Sequence, residues 1–227
     1  MEYEKIKMKN LLSAKDLSKE EILEIFGLTD KLKNKKNVIL ENKVLAMIFE
    51  KPSTRTRVSF ETAIHHLGGH AIYLSKNDIQ LGRGETIEDT ARVLSRYVDG
   101  ITARLFSHKD LLKLAKFSSI PVINALTDLE HPCQALADLY TIKERKGLKK
   151  LRIAFFGDGA NNTFHSLIYL CEKFNFEIVV SCPNMYSPKI HANFRLINDP
   201  KTAAKGADVI YTDTFVSMGK RKKQNRD

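Results

Sequence analysis

The chain has 227 residues, 37 Lys and Arg against 27 Asp and Glu, and a formal net charge of +10; 43% of residues are hydrophobic and 28% charged. That balance excludes a wholly disordered or collagen-like chain and gives enough length for one or two packed domains. Three widely spaced cysteines exclude a disulfide framework, no apolar run approaches the roughly 18 residues of a spanning helix, and MEYEKIKMKN lacks a secretory apolar region, so a cytoplasmic protein with no membrane partner is the expectation.

In chain order, Ser18 with Glu21 forms a capping box that opens a helix from about Lys19 to Lys35, with Ile22, Leu23, Ile25, Phe26 and Leu32 on its apolar face. Lys43 to Phe49 is a near-continuous apolar run, short enough for a strand buried on both faces. A helix follows Pro52 and runs to about Leu67, closed by Gly68 and Gly69. Next come a strand at His70–Leu74, a helix at Thr86–Tyr97, a strand at Gly100–Leu105, a helix at His108–Phe117, a strand at Pro121–Ala125 and a helix at His131–Arg145. After the polar break Gly147–Lys150 a second series begins: a strand at Leu151–Phe156, a helix at Thr163–Phe174, and strands at Glu177–Ser181 and Ala207–Thr212. Strands alternating with helices predict an α/β fold of two doubly wound parallel-sheet domains, 1–148 and 149–227, the first with four strands and the second incomplete with about three.

The densest cluster of polar donors is Phe49-Glu50-Lys51-Pro52-Ser53-Thr54-Arg55-Thr56-Arg57, where a buried strand passes into a helix. Open backbone N–H groups at a helix start favour an anion, hydroxyls at 53, 54 and 56 add donors, and Arg55 and Arg57 add planar forks that match phosphate oxygens. An N-cap with surface arginines is the plainer alternative. His131-Pro132-Cys133-Gln134 opens another helix after a strand, so His131 and Gln134 can face the same crevice, although a lone His at a helix start is often structural. Arg104 lies at the end of a strand, at the same sheet edge, and could equally be a surface residue. Gly157-Asp158-Gly159-Ala160-Asn161-Asn162 imitates a dinucleotide turn, but Asn162 stands where the third Gly belongs, so no dinucleotide is expected. The stretch from Asp213 to Gly219 leaves the final strand with an acid able to pair with an amine.

The positive balance raises nucleic acid as a partner. Five bases and one acid crowd the last eight residues, KRKKQNRD; elsewhere there is no aromatic-interleaved basic stripe and no zinc or homeodomain spacing, so none is expected. A basic surface also suits an enzyme that gathers small anions.

In order and approximate spacing, FEKPSTRTR, DTARVLSRY, the HPCQ element, GDGANN and DTFVSMG resemble the ornithine carbamoyltransferases over roughly residues 8–219. The aspartate enzymes share the first and third kinds of element; Asp-x-x-x-Ser-Met-Gly points to an ornithine-type amino acid. The resemblance implies transfer of the carbamoyl group from carbamoyl phosphate to the δ-amine of ornithine, giving citrulline and phosphate, in arginine biosynthesis or catabolism. It implies that Ser53, Thr54, Arg55 and Thr56 hold the phosphate, and that Arg104, His131 and Gln134 contact the carbamoyl end, with Arg104 and His131 polarising its oxygen. Gln80 would reach a neighbouring subunit's site, which implies a homotrimer, and Asn162, Asp213, Ser217 and Met218 would bind ornithine. The implied chemistry needs no metal and no organic cofactor.

The family's His-Cys-Leu-Pro element and a following Arg have no match here, Phe215 stands where a Trp is usual, and Cys133, Cys171 and Cys182 occupy other places and receive no role. The expectation is a carbamoyltransferase architecture whose chain is impaired or inactive in turnover. A non-catalytic protein that binds carbamoyl phosphate, a carbamoyltransferase for putrescine or another amine, and a nucleic-acid binder using the basic tail are the alternatives.

Overall fold

The computed structural model describes residues 10–33 and 38–213. Its elements are α1 (Lys19–Leu32), β1 (Val44–Phe49), α2 (Thr54–His66), β2 (His70–Ser75), α3 (Ile87–Tyr97), β3 (Gly100–Arg104), α4 (His108–Phe117), β4 (Val122–Leu126) and α5 (Pro132–Lys146), followed by β5 (Arg152–Phe156), α6 (Asn162–Lys173), β6 (Glu177–Ser181), β7 (Arg195–Leu196), α7 (Pro200–Ala204) and β8 (Val209–Thr212). Two four-stranded parallel sheets result, in the orders β2-β1-β3-β4 and β7-β6-β5-β8. The α/β expectation therefore holds, with one more strand in the second sheet than the sequence pattern suggested. That strand, β7, has only two residues, too short for a period-2 pattern to be read.

The run Val44-Leu-Ala-Met-Ile-Phe49 is apolar throughout because β1 is central, between β2 and β3, and covered on both faces. Its residues alternate as a strand requires: Leu45, Met47 and Phe49 pack with Phe60 and Ile64 of α2, whereas Ala46 and Ile48 pack with Ala91 of α3 and with Leu111 and Leu114 of α4. Gly68, at φ 85, ends the turn after α2; a side chain at Gly69 would meet Lys43 O at 3.0 Å. The outer edge of β4 is covered by the segment before α1: Leu11 N–H donates to Val122 O (2.9 Å) and Asn124 N–H to Leu11 O (2.8 Å).

The second core spans both halves of the chain. Ile22 and Phe26 of α1 and Ala135, Leu136 and Leu139 of α5 pack in one cluster with Phe155 of β5 and with Phe164 and Leu167 of α6. Phe155 stacks on Phe164 with centroids 3.7 Å apart and planes at 13°, which sets the start of α6 against β5. The predicted capping box forms as expected: Ser18 Oγ accepts from Glu21 N–H and the Glu21 carboxylate accepts from Ser18 N–H. Helix α1 ends at Leu32; the predicted end at Lys35 lies outside the described residues. Among the described residues no helix is long and apolar enough to cross a membrane.

Candidate active site

Each sheet has a place where successive connections leave in opposite directions, and ligands of parallel sheets bind at such switch points. In the first sheet it lies between β1 and β3, where Phe49 is in register with Arg104. The chain leaves β1 into the N-terminus of α2 and leaves β3 at Arg104. Strand order, which the sequence pattern does not disclose, is what brings these two motifs together.

Ser53 is the N-cap of α2: its Oγ accepts from Thr56 N–H (3.3 Å) and donates to Thr56 Oγ1 (3.0 Å). Arg104 Nη1 donates to the same Thr56 Oγ1 at 3.5 Å. Thr54 and Arg55 are exposed on the first turn of α2 and line an open depression of about 700 Å³ along that helix. Arg57 turns elsewhere: its guanidinium lies 3.9 Å from the centroid of the Tyr73 ring and its Nε donates to Glu61 (2.9 Å). Of the two arginines in the motif, Arg57 is therefore structural.

Arg104 is only 5% exposed, and burial lowers the pKa of its guanidinium. His131, at the start of α5, is buried as well; burial first and the Arg104 charge second bring its imidazole down to about 4. The His131 backbone N–H donates to Ser166 Oγ of α6 (2.9 Å). His131 Nδ1 and Arg104 Nε are both buried with no hydrogen-bond partner among the described residues. Buried polar atoms are nearly always satisfied, so two such orphans at one switch point mark a place built to receive polar groups. His131 is neutral at ordinary pH and can act as a polarising hydrogen-bond partner without adding charge.

The low value has a consequence for stability. Between pH 6.5 and 4 the unfolded chain protonates this histidine while the folded chain does not, so stability falls as pH falls through that window. From pH 7 to pH 5 the loss from this group is about 2 kcal/mol. Urea midpoints at the two pH values should separate less for His131→Asn than for the wild type; equal separations would contradict the assignment.

Sequence reasoning passed over several residues here. Lys51 sits over the Phe106 ring (4.6 Å), and burial and the nearby Arg104 lower the pKa of its ammonium, so a further cation lies near Arg104. It stands inside the FEKPSTRTR string, where the positive charge was the available signal. Glu50 ties the strand ends together, accepting from Phe106 N–H (2.7 Å) and Lys76 Nζ (2.8 Å), while its own N–H donates to Arg104 O (2.9 Å). Glu130, 3% exposed, accepts from Ser13 Oγ (2.5 Å), Ala14 N–H (2.9 Å) and Ser166 Oγ (3.0 Å), and so supports the serine that holds His131.

Gln134 lies exposed on the first turn of α5 and donates to Asp138 Oδ1 (3.0 Å). Gln80 is exposed on a single 3₁₀ turn, Gln80–Arg83, between β2 and α3.

The second sheet has its own switch point between β5 and β8, with Phe156 in register with Thr212. Asp213 follows β8, and its Oδ2 accepts from Asn161 Nδ2, the N-cap of α6, at 3.0 Å. The next residue, Asn162, donates to Thr127 O just beyond β4 (2.5 Å), which brings the two switch points together. Ser217 and Met218 lie outside the described residues. Gly159 is explained by packing, because a side chain there would meet Tyr186 O at 2.7 Å and Pro188 Cδ at 2.9 Å.

Two facing switch points, one cationic with a buried neutral histidine and one bearing a carboxylate, suit a transferase that brings an anionic donor to an amine. The comparisons agree. The profile described as "Aspartate/ornithine carbamoyltransferase, carbamoyl-P binding domain" matches residues 9–144, and that described as "Aspartate/ornithine carbamoyltransferase, Asp/Orn binding domain" matches residues 149–227. An ornithine carbamoyltransferase of Pyrococcus abyssi (strain GE5 / Orsay) is 51% identical over 233 residues, covering 94% of this chain and 73% of that protein. The solved ornithine carbamoyltransferase of Pyrococcus furiosus superposes with a TM-score of 0.84 at 49% identity, over 93% of this chain and 73% of that one. The anabolic enzyme of Campylobacter jejuni subsp. jejuni gives 0.89 at 43%, over 96% and 77%. The chain belongs to the aspartate/ornithine carbamoyltransferase family.

Proposed function

We propose that this chain transfers the carbamoyl group of carbamoyl phosphate to the δ-amine of ornithine, giving citrulline and phosphate. The observation that carries the reading is the pair of buried nitrogens without a hydrogen-bond partner among the described residues, Arg104 Nε and His131 Nδ1, with Arg104 also reaching Thr56 on the first turn of α2. Ser53, Thr54, Arg55 and Thr56 hold the phosphate through hydroxyls, backbone N–H groups and one guanidinium. Arg104 and His131 polarise the carbamoyl oxygen, and Gln134 meets the carbamoyl end. The neutral δ-amine adds to the carbamoyl carbon and negative charge collects on the carbonyl oxygen; the C=O then re-forms as the bond to the phosphate oxygen breaks, and one amine proton passes to the departing phosphate. Donors already in place where that charge develops are worth about 3–4 kcal/mol each, and holding both substrates at the facing switch points adds the advantage of proximity.

Asp213, whose carboxylate accepts from Asn161 Nδ2 (3.0 Å), supplies charge for the α-ammonium of ornithine in this reading, and Asn162, Ser217 and Met218 complete its amino-acid side. The relatives called anabolic favour biosynthesis of arginine over its breakdown. Gln80, exposed on its turn and so free to meet another chain, enters the site of a second copy in this reading, which goes with a homotrimer; the cytoplasm is the compartment proposed for it.

Titration calorimetry with carbamoyl phosphate tests the donor half. Arg55→Ala should weaken binding about tenfold or more, the value of a charge-assisted bond to phosphate. Equal heats and affinities from wild type and variant would overturn the phosphate assignment.

A further inference from the structure

Gln134 does not present its amide unguided. Its Nε2 donates to Asp138 Oδ1 at 3.0 Å, one turn along α5. The other oxygen of the same carboxylate, Oδ2, accepts from the Tyr211 hydroxyl at 2.7 Å. Tyr211 lies in β8, in register with Phe155, and its ring stacks on Phe155 with centroids 5.9 Å apart. It precedes Asp213 by two residues. One carboxylate therefore joins a side chain on the first turn of α5, the helix that His131 opens, to the strand that carries the second switch point.

An ionised carboxylate only accepts hydrogen bonds, whereas a glutamine amide has one donating end and one accepting end. With its NH₂ on Asp138, Gln134 keeps Oε1 as the end available to a ligand. A carbamoyl group ends in NH₂ and needs an acceptor; an acetyl group of the same shape ends in CH₃ and needs none. We propose that Asp138 is a positioning residue that sets the Gln134 amide to accept from the carbamoyl NH₂, so that the site distinguishes carbamoyl phosphate from acetyl phosphate, and that Tyr211 holds this setting from β8. The inference rests on the carbamoyl-phosphate reading above.

Asp138→Asn changes the logic of the group with little change of shape. The Tyr211 hydroxyl still needs an acceptor and takes the new amide oxygen. The new NH₂ then faces Gln134, whose amide reverses and shows NH₂ to the ligand. The measurement is calorimetry with carbamoyl phosphate, acetyl phosphate and inorganic phosphate on the full chain. In the wild type carbamoyl phosphate should bind about tenfold more tightly than acetyl phosphate, the value of one well-placed hydrogen bond. In Asp138→Asn that ratio should fall toward one while the affinity for inorganic phosphate stays within about twofold. In a Gln134→Ala background, Asp138→Asn should have no further effect on the ratio. Tyr211→Phe, which removes one hydroxyl, should lower the ratio part of the way and carries the test if Asp138→Asn fails to fold. A merely structural role would weaken all three ligands together and leave the ratio intact, and that result overturns the proposal. If the wild type binds none of the three, the carbamoyl-phosphate reading itself is overturned, and this inference with it.

Discussion

Arg104→Ala is expected to lower turnover by about 10²–10³, the usual cost of losing a donor aimed at developing negative charge, and to weaken carbamoyl phosphate at least about tenfold. Arg104 bears on the reaction in three ways. It touches Thr56 on the first turn of α2 (3.5 Å), its Nε is buried with no partner among the described residues, and its charge helps keep His131 neutral. Arg104→Lys keeps the charge but loses the planar fork, so it should recover less than a tenfold part of the loss. The fold should be untouched, because the side chain forms no ion pair with an acid among the described residues. Steady-state rates with unchanged circular dichroism check this; an Arg104→Ala protein with near-normal kcat would remove Arg104 from the chemistry.

Glu130→Ala should have the largest effect on stability. Its buried carboxylate accepts from Ser13 Oγ, Ala14 N–H and Ser166 Oγ, which belong to the segment before α1 and to α6. Truncation leaves these donors inside without an acceptor. Unsatisfied groups of this kind cost about 1–3 kcal/mol each, so about 3 kcal/mol or more is expected. For a chain of this length that corresponds to a fall in Tm of roughly 6–12 °C. Glu130→Gln keeps one acceptor oxygen and should lose about half as much. Activity should fall as well, because Ser166 also holds the His131 backbone. Thermal unfolding of the two variants checks this, and a Glu130→Ala protein that melts within about 1 °C of the wild type would contradict it.

The fold was legible where local chemistry determines it. The capping box of Ser18 and Glu21, the unbroken apolar run of β1 and the glycines after α2 each carry their structure in adjacent residues. The site was legible as separate pieces. Ser53 at a helix N-cap, Arg104 at a strand end and His131 at a helix start could each be placed from sequence alone. Their convergence depends on the order β2-β1-β3-β4, which is set by long-range pairing. The supporting groups were not legible for the same reason. Glu130 meets Ser13 across more than a hundred residues of chain, and nothing near either one announces it. Gln134 and Asp138 are four apart on one helix, a spacing that suggests only a local pair; Tyr211, which gives the pair its wider meaning, comes from the second sheet. Arg57 shows the opposite case, a residue whose motif suggested an anion ligand and whose ring neighbour, Tyr73, makes it structural.

The most direct test of the central claim is citrulline formation from carbamoyl phosphate and ornithine by the purified chain. Citrulline should form above the enzyme-free control, dependent on both substrates and lowered at least about a hundredfold by Arg104→Ala. Tight binding of carbamoyl phosphate with no citrulline at any ornithine concentration would contradict it and leave a binding protein in place of an enzyme.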